Sequence, residues 1–143
     1  MAHPIELVYQ PEGSTGHRFA ARAQGHVVTM DSGPGRVAAS PVEMLLAALG
    51  GCGGMDVIDL LRKKRQRVTA YRVVVDGVRA ETHPRIYTRL TVRHILTGHG
   101  LNATAVGDAI RLSDEKYCTV HAMLKGVATI ESSFELHEVG GSR

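Results

Sequence analysis

The sequence predicts a mixed architecture in which strands and helices occupy separate stretches of chain, and two observations carry that reading. Short runs of alternating polarity recur near the N-terminus and again in the middle, and between them lies one long apolar stretch that opens with helix-start chemistry. Ile5 to Tyr9, Arg18 to Ala23 and His26 to Met30 are short strands separated by glycine-bearing turns, an N-terminal meander. Asp31 to Ser40, rich in Gly, Pro and Ser, is a loop. Ser40-Pro41-Val42-Glu43 then starts a helix, with Ser at the N-cap, Pro at the first helical position and Glu three residues after the cap. Tyr71 to Thr82 and Arg85 to Leu96 form an antiparallel hairpin around His83-Pro84, with Ile86, Leu90 and Val92 on one face and Arg89 and Arg93 on the other. His94 and His99 read as surface or loop residues. Asn102 caps a helix from Ala103 to Tyr117, Thr119 to Leu124 is a short second helix, and Val127 to Glu138 is a last strand. The tail Gly140-Gly141-Ser142-Arg143 is expected to fray.

Bulk properties fit a single domain: 143 residues are enough for a core without disulfide staples, at 43% hydrophobic and 22% charged content. The net charge of +3 is mild, and the arginines are spread rather than gathered with stacking aromatics, so nucleic acid is not an expected partner. Met1 to Tyr9 has no basic region followed by an apolar stretch and does not read as a signal peptide, which places the chain in the cytoplasm and makes a structural disulfide unexpected.

The helix after Ser40 is expected to reach about Arg65, and some 25 residues make roughly 37 Å of helix. A domain of this size has a radius of gyration of roughly 14–15 Å, so one helix crosses it. From Met44 to Leu61 it is apolar all round except for Asp56 and Asp59, which predicts burial on nearly every side. It is not expected to span a membrane, because Glu43, Asp56 and Asp59 would each cost up to roughly 2.5–3.5 kcal/mol in hydrocarbon. Arg62-Lys63-Lys64-Arg65 reads as a solvated helix end that complements the macrodipole. The glycines at 50, 51, 53 and 54 would each cost roughly 1 kcal/mol relative to alanine. Ala47, Gly51 and Gly54, like Gly50 and Gly54, leave bare backbone at helical spacing, which allows very close approach of another segment. A chain this short can hardly cover such a helix alone, so a second copy in a symmetric dimer is expected.

Two cysteines carry the chemical signal: Cys52 inside Gly50-Gly51-Cys52-Gly53-Gly54, and Cys118 at the end of Glu115-Lys116-Tyr117-Cys118. They stand 66 positions apart, so neither a local redox loop nor a two-pair zinc site is possible. Cys118-x-x-His121 offers two ligand types but no second local pair exists, and neither metal nor cofactor is expected. A free thiol has a pKa of about 8.5, and lowering it to about 6 takes roughly 3.4 kcal/mol of preference for the anion. Mid-helix Cys52 draws nothing from a helix N-terminus, and an ionised Asp56 one turn later opposes the thiolate. It needs an external cation. Arg18 and Arg36 are the favoured donors, since a guanidinium also hydrogen-bonds an oxyanion, and Arg85 and Arg89 are less favoured. Cys118 sits at or near the N-terminus of the short helix, whose dipole offers about 0.3–1 kcal/mol. On chemistry alone either sulfur qualifies as the nucleophile. A free cysteine is often only a small buried apolar side chain, but these two contexts together favour redox chemistry.

Ser40-Pro41-Val42-Glu43-Met44-Leu45-Leu46-Ala47-Ala48-Leu49-Gly50-Gly51-Cys52 with Ser113-Asp114-Glu115-Lys116-Tyr117-Cys118 resembles the OsmC/Ohr family, the osmotically inducible and organic hydroperoxide resistance proteins. The likeness is closest to the OsmC-like branch and extends from about His17 to Glu138. It implies an α+β fold with antiparallel sheets packed around a long central helix, an intertwined homodimer with two sites at its interface, and thiol-dependent reduction of organic hydroperoxides. By position Cys52 resembles the peroxidatic cysteine and Cys118 the resolving one, with a dithiol reductant regenerating them and an arginine stabilising the thiolate. Glu43 resembles the family's glutamate with an offset. Well characterised members carry it directly after the proline, where this chain has Val42, and one position is about 100° around a helix. Glu43 is therefore a candidate site residue with two open readings, a partner of the arginine or a helix cap that never touches it. The family's N-terminal arginine position falls nearer Thr15 than Arg18. Met44, Leu45, Leu49 and Met55 surround the site in sequence and suit an organic peroxide better than hydrogen peroxide. The alternative readings are a binding protein for a small apolar ligand and a thiol sensor of stress, both on the same dimer.

Overall fold

The computed structural model describes residues 3–12 and 16–140. Thr15 and the tail residues Gly141, Ser142 and Arg143 lie outside the described residues, as do Met1 and Ala2 at the start of the segment read for a signal peptide. The chain forms two compact units, residues 1–45 and 46–143.

In the first unit β1 (Glu6–Tyr9), β2 (Phe19–Ala23) and β3 (His26–Met30) make the expected antiparallel meander. Gln24 and Gly25 turn the second hairpin, both at positive φ (49° and 85°), the backbone that a two-residue hairpin loop demands. The following loop closes around the carboxylate of buried Asp31, which accepts from Ser32 N at 2.8 Å and Val37 N at 2.9 Å.

Helix α1 (Pro41–Lys63) begins in the first unit and continues into the second. Its start is the expected capping box: Ser40 Oγ accepts from Glu43 N at 3.1 Å, and Glu43 Oε1 accepts from Ser40 N at 2.8 Å. Its end comes two residues earlier than expected. Arg65 enters the left-handed region at φ 58°, its N–H bonds Arg62 O at 3.0 Å, and Gln66 N–H bonds Leu61 O at 2.9 Å, which together close the helix as a Schellman motif. The four basic residues there are exposed, and Lys63 pairs with Asp59 at 3.1 Å.

In the second unit β4 (Arg67–Arg79) and β5 (Tyr87–His99) form the expected hairpin, with a cis His83–Pro84 bond in the turn. The last strand, β6 (Thr129–Glu138), joins β5 in parallel, so this sheet is mixed rather than wholly antiparallel. A parallel neighbour needs a helical crossover, and α2 (Ala103–Leu112), capped by Asn102, supplies it with the turns that follow. The helix expected to run to Tyr117 stops at Leu112. Ser113–Tyr117 widens into a π turn closed by Cys118 N–H on Ser113 O at 2.8 Å, and α3 (Thr119–Leu124) starts beyond it.

The glycines do not break α1; they let it lie against β4. A Cβ on Gly50 would stand 2.8 Å from Val75 Cγ2, and one on Gly54 3.4 Å from Val73 Cγ2. This approach drives Val57 and Leu61 of α1 into a core with Leu96, Val106, Ala109 and Ile110, while Leu49 packs with Leu90, Val92 and Ala128. The rest of α1 does not meet the expectation of burial on nearly every side. Within one chain only 28% of its apolar stretch is buried and Met55 is 74% exposed, because the sheet and α2 cover a single flank. By length and composition alone α1 would also pass as a membrane span. Its fit here is to the sheet, with Asp56 and Asp59 both partnered within the protein.

Two outcomes follow from this packing and capping. Gly53→Ala, whose Cβ meets only Ser113 Oγ at 3.8 Å, gains up to about 1 kcal/mol of helix propensity. Gly50→Ala instead drives stiff Val75 aside at a cost of about 1–3 kcal/mol that outweighs the gain. Urea denaturation should rank Gly53→Ala above wild type and Gly50→Ala below it; the reverse order would refute the close approach. The second outcome concerns Glu43, which also grips Arg36 and is held near pKa 2, below its ordinary 4.5, first by that hydrogen bond and then by Ser40 N–H. A depressed carboxyl stabilises the fold above its unfolded pKa, so this contribution is complete above 4.5 and is lost as pH falls toward about 2. Melting temperature should therefore drop further between those pH values in wild type than in Glu43→Gln, and high salt should narrow the gap. Parallel profiles would contradict it.

Candidate active site

Helix α1 and the π turn bring the two cysteines together in the second unit. Cys52 Sγ, Cys118 Sγ and an Asp56 carboxylate oxygen all lie within 4.8 Å of one another. Cys52 and Asp56 are one turn apart on α1 and half-buried, whereas Cys118 is buried. Buried Ser113, first residue of the π turn, donates from Oγ to Asp56 Oδ2 at 3.0 Å and so ties the turn to the helix. Cys118 is the N-cap of α3, and its sulfur accepts from His121 N at 3.3 Å. Both cysteines are free thiols.

The two sulfurs are not equivalent. Burial, the largest influence, pushes the Cys118 thiol up to about 11; the His121 N–H pulls it down, and its hydrogen bond to Cys52 and the charges of Cys52 and Asp56 push it further up. The expectation that a helix N-terminus would help Cys118 ionise is therefore corrected. The cap hydrogen bond exists, but desolvation and two acidic neighbours outweigh it. Cys118 stays a thiol at neutral pH and can donate its proton to Cys52.

Arg36 and Glu43 meet in the first unit. The guanidinium grips the carboxylate with two hydrogen bonds, Nη1 to Oε1 and Nη2 to Oε2, the second at 2.9 Å, which raises the Arg36 pKa. Glu43 thus caps α1, as expected, and holds Arg36 as well. The one-residue offset is overcome because Arg36 lies on the incoming loop, which reaches the first turn of the helix. Arg18 of the same unit is half-buried, and its Nε has no hydrogen-bond partner among the described residues. Arg89 pairs with Glu131 at 3.5 Å on the exposed side of β5, and Arg85 occupies the hairpin turn, its carbonyl accepting from Arg79 Nε at 2.9 Å. Of the apolar residues expected around Cys52, Leu49 is in the core. Met55 lines an open groove of about 500 Å³ with Ala47, Gly51, Ile58, Tyr71 and Val73.

His94 is a correction. It is 2% exposed rather than a surface residue, because it shares the inner face of β5 with Leu90, Val92 and Leu96, and its Nδ1 shares a 2.6 Å hydrogen bond with Tyr71 OH. Burial lowers the His94 pKa and raises that of Tyr71, so the pair is neutral. Strand alternation alone would have placed His94 inward. His99 ends the strand and is exposed. Ser113 was also missed: nothing in the sequence links it to Asp56, 57 positions away.

Comparison with known proteins gives this geometry a family. The OsmC-like protein family matches residues 33–133. Protein YhfA of Escherichia coli K12 is 42% identical over 114 residues, 80% of this chain and 85% of the relative. The crystal structure of a hypothetical protein from Aquifex aeolicus VF5 superposes with a TM-score of 0.83 at 31% identity, covering 96% of this chain and 98% of that one. The organic hydroperoxide resistance protein OhrB of Bacillus subtilis shares the fold at a TM-score of 0.62 and 10% identity, over 93% and 98% of the two chains. By these matches the chain belongs to the OsmC-like protein family.

Proposed function

We propose that this protein is a thiol-dependent peroxidase that reduces organic hydroperoxides, with Cys52 as nucleophile and Cys118 as resolving thiol. The observation that carries the reading is the pair itself: two free sulfurs within 4.8 Å, one of them buried and held as a thiol beside the other. A fold shared with a protein named for organic hydroperoxide resistance supports the substrate class. Cys52 thiolate attacks the distal peroxide oxygen, the O–O bond breaks, and an alkoxide leaves to take a proton as the alcohol, while Cys52 becomes a sulfenic acid. Cys118 then attacks the sulfenic sulfur, water leaves, and a disulfide remains. A dithiol reopens it by two exchanges and is itself oxidised.

For the cation we assign Arg18. Arg36 already gives two of its five N–H groups, and its charge, to the Glu43 carboxylate, whereas Arg18 Nε is unpartnered among the described residues. In this reading the Arg36–Glu43 pair organises the start of α1. We further propose that the groove beside Met55 is covered by a second copy in a homodimer, since an apolar helix flank and bare glycine backbone would otherwise face water. Two free thiols also suit a reducing cytoplasm.

Thiol titration before and after cumene hydroperoxide tests the chemistry. Wild type should lose both thiols and regain them with a dithiol, Cys52→Ser should lose none, and Cys118→Ser should stop at a sulfenic acid; loss without Cys52 would overturn the assignment. Arg18→Gln should slow Cys52 oxidation by about 10–100-fold, the worth of a charge-assisted hydrogen bond of about 1.5–3 kcal/mol, with Arg36→Gln slower by less. The opposite ranking would move the cation to Arg36. For the dimer, sedimentation should show a two-chain species in wild type and a monomer in Met55→Glu, and an unchanged dimer in the variant would place the interface elsewhere.

A further inference from the structure

Cys52, Asp56 and Cys118 together are a ligand set as well as a redox pair. A tetrahedral zinc site has Zn–S distances of about 2.3 Å and Zn–O distances of about 2.0–2.2 Å, which puts neighbouring ligand atoms roughly 3.5–3.8 Å apart. The three atoms here lie within 4.8 Å, close to that spacing, and two of them belong to half-buried side chains on one helix face. The sequence alone offered Cys118 without a second local pair. The fold supplies the missing ligands from α1, at positions one turn apart.

The surroundings already have the form of an outer shell. Ser113 Oγ donates to Asp56 Oδ2 and so orients the carboxylate, and His121 N–H points at Cys118 Sγ as a donor does toward a bound thiolate. His121 carries a second feature: its Nδ1 is buried with no hydrogen-bond partner among the described residues. A divalent ion would also compensate the Asp56 carboxylate and the thiolates that form as it displaces the thiol protons.

We propose that Cys52, Asp56 and Cys118 form a three-ligand site for a thiophilic divalent cation of the zinc and cadmium type, and that its occupancy shuts off attack of Cys52 on peroxide. Binding exchanges the thiol protons for metal–sulfur bonds and involves no change of oxidation state. The lone pair that would attack the peroxide is then committed to the metal. Three protein ligands leave a fourth position for water, so the ion stays exchangeable and the block reversible. The regulatory half rests on the peroxidase reading; the site itself does not.

The test is an anaerobic titration of the fully reduced full-length protein with Cd²⁺, following sulfur-to-metal charge-transfer absorbance in the ultraviolet. Wild type should bind one ion per chain with a two-thiolate band. Cys52→Ser and Cys118→Ser should each halve the band, and Asp56→Asn should weaken binding while keeping it. Ser113→Ala, which removes no ligand, should weaken binding by about 10–100-fold, and Asp59→Asn on the exposed side of α1 should not. No band, or equal affinity in Asp56→Asn and wild type, overturns the site. Zn²⁺ should slow thiol loss to cumene hydroperoxide in proportion to occupancy, with EDTA restoring it; an unchanged rate at full occupancy overturns the regulation. Cd²⁺ binding by a protein that never consumes peroxide would sink the enzymatic reading and keep the site. Turnover without Cd²⁺ binding would do the opposite.

Discussion

Everything in the second unit depends on how closely α1 can lie on β4. Gly50 and Gly54 present backbone, not side chain, to Val75 and Val73, and that contact fixes the rotation of the helix about its own axis. With the rotation set, Val57 and Leu61 point into the core, and Cys52 with Asp56 points toward the π turn that ends in Cys118. A side chain at position 50 would lift or roll the helix, and a small roll would be felt at the sulfurs. The roughly 1 kcal/mol that each glycine costs a helix is the cost of positioning the nucleophile.

The π turn is the second constraint. Had α2 continued as an α-helix to Tyr117, Cys118 would follow a regular helical end. The wider turn instead stops at Cys118 in extended conformation and lets it cap α3, while Ser113 at the start of the turn bonds Asp56. One short irregular segment therefore delivers both the second sulfur and the polar contact that ties it to the first. Burial there keeps Cys118 protonated, which suits a thiol that acts second.

Much of this was legible in the sequence because it rests on local chemistry. The capping box at Ser40 and Glu43, the turn at Gln24 and Gly25, the hairpin and the Asn102 cap are each set by a few adjacent residues, and each was found where the residues placed it. The pairing of Cys52 with Cys118 came from family resemblance, not spacing, since β4, β5 and α2 lie between them in the chain. What stayed hidden was long-range or collective. The parallel addition of β6 and the Ser113–Asp56 bond join segments far apart in the chain, and the π turn is a local widening that helical periodicity does not announce. The upward pKa of Cys118 reflects a contest in which burial outweighed a dipole that the sequence did show. His94 was different: strand alternation pointed inward, and polarity alone argued otherwise.

The account stands on a single chemical relation, that Cys52 and Cys118 of one chain oxidise as a pair. Peptide mapping by mass spectrometry after one equivalent of cumene hydroperoxide tests it directly. The account predicts a Cys52–Cys118 cross-link within a single chain as the dominant oxidised species. A disulfide between the Cys52 residues of two chains, or Cys52 carried on to sulfinic acid with Cys118 still a free thiol, would contradict it.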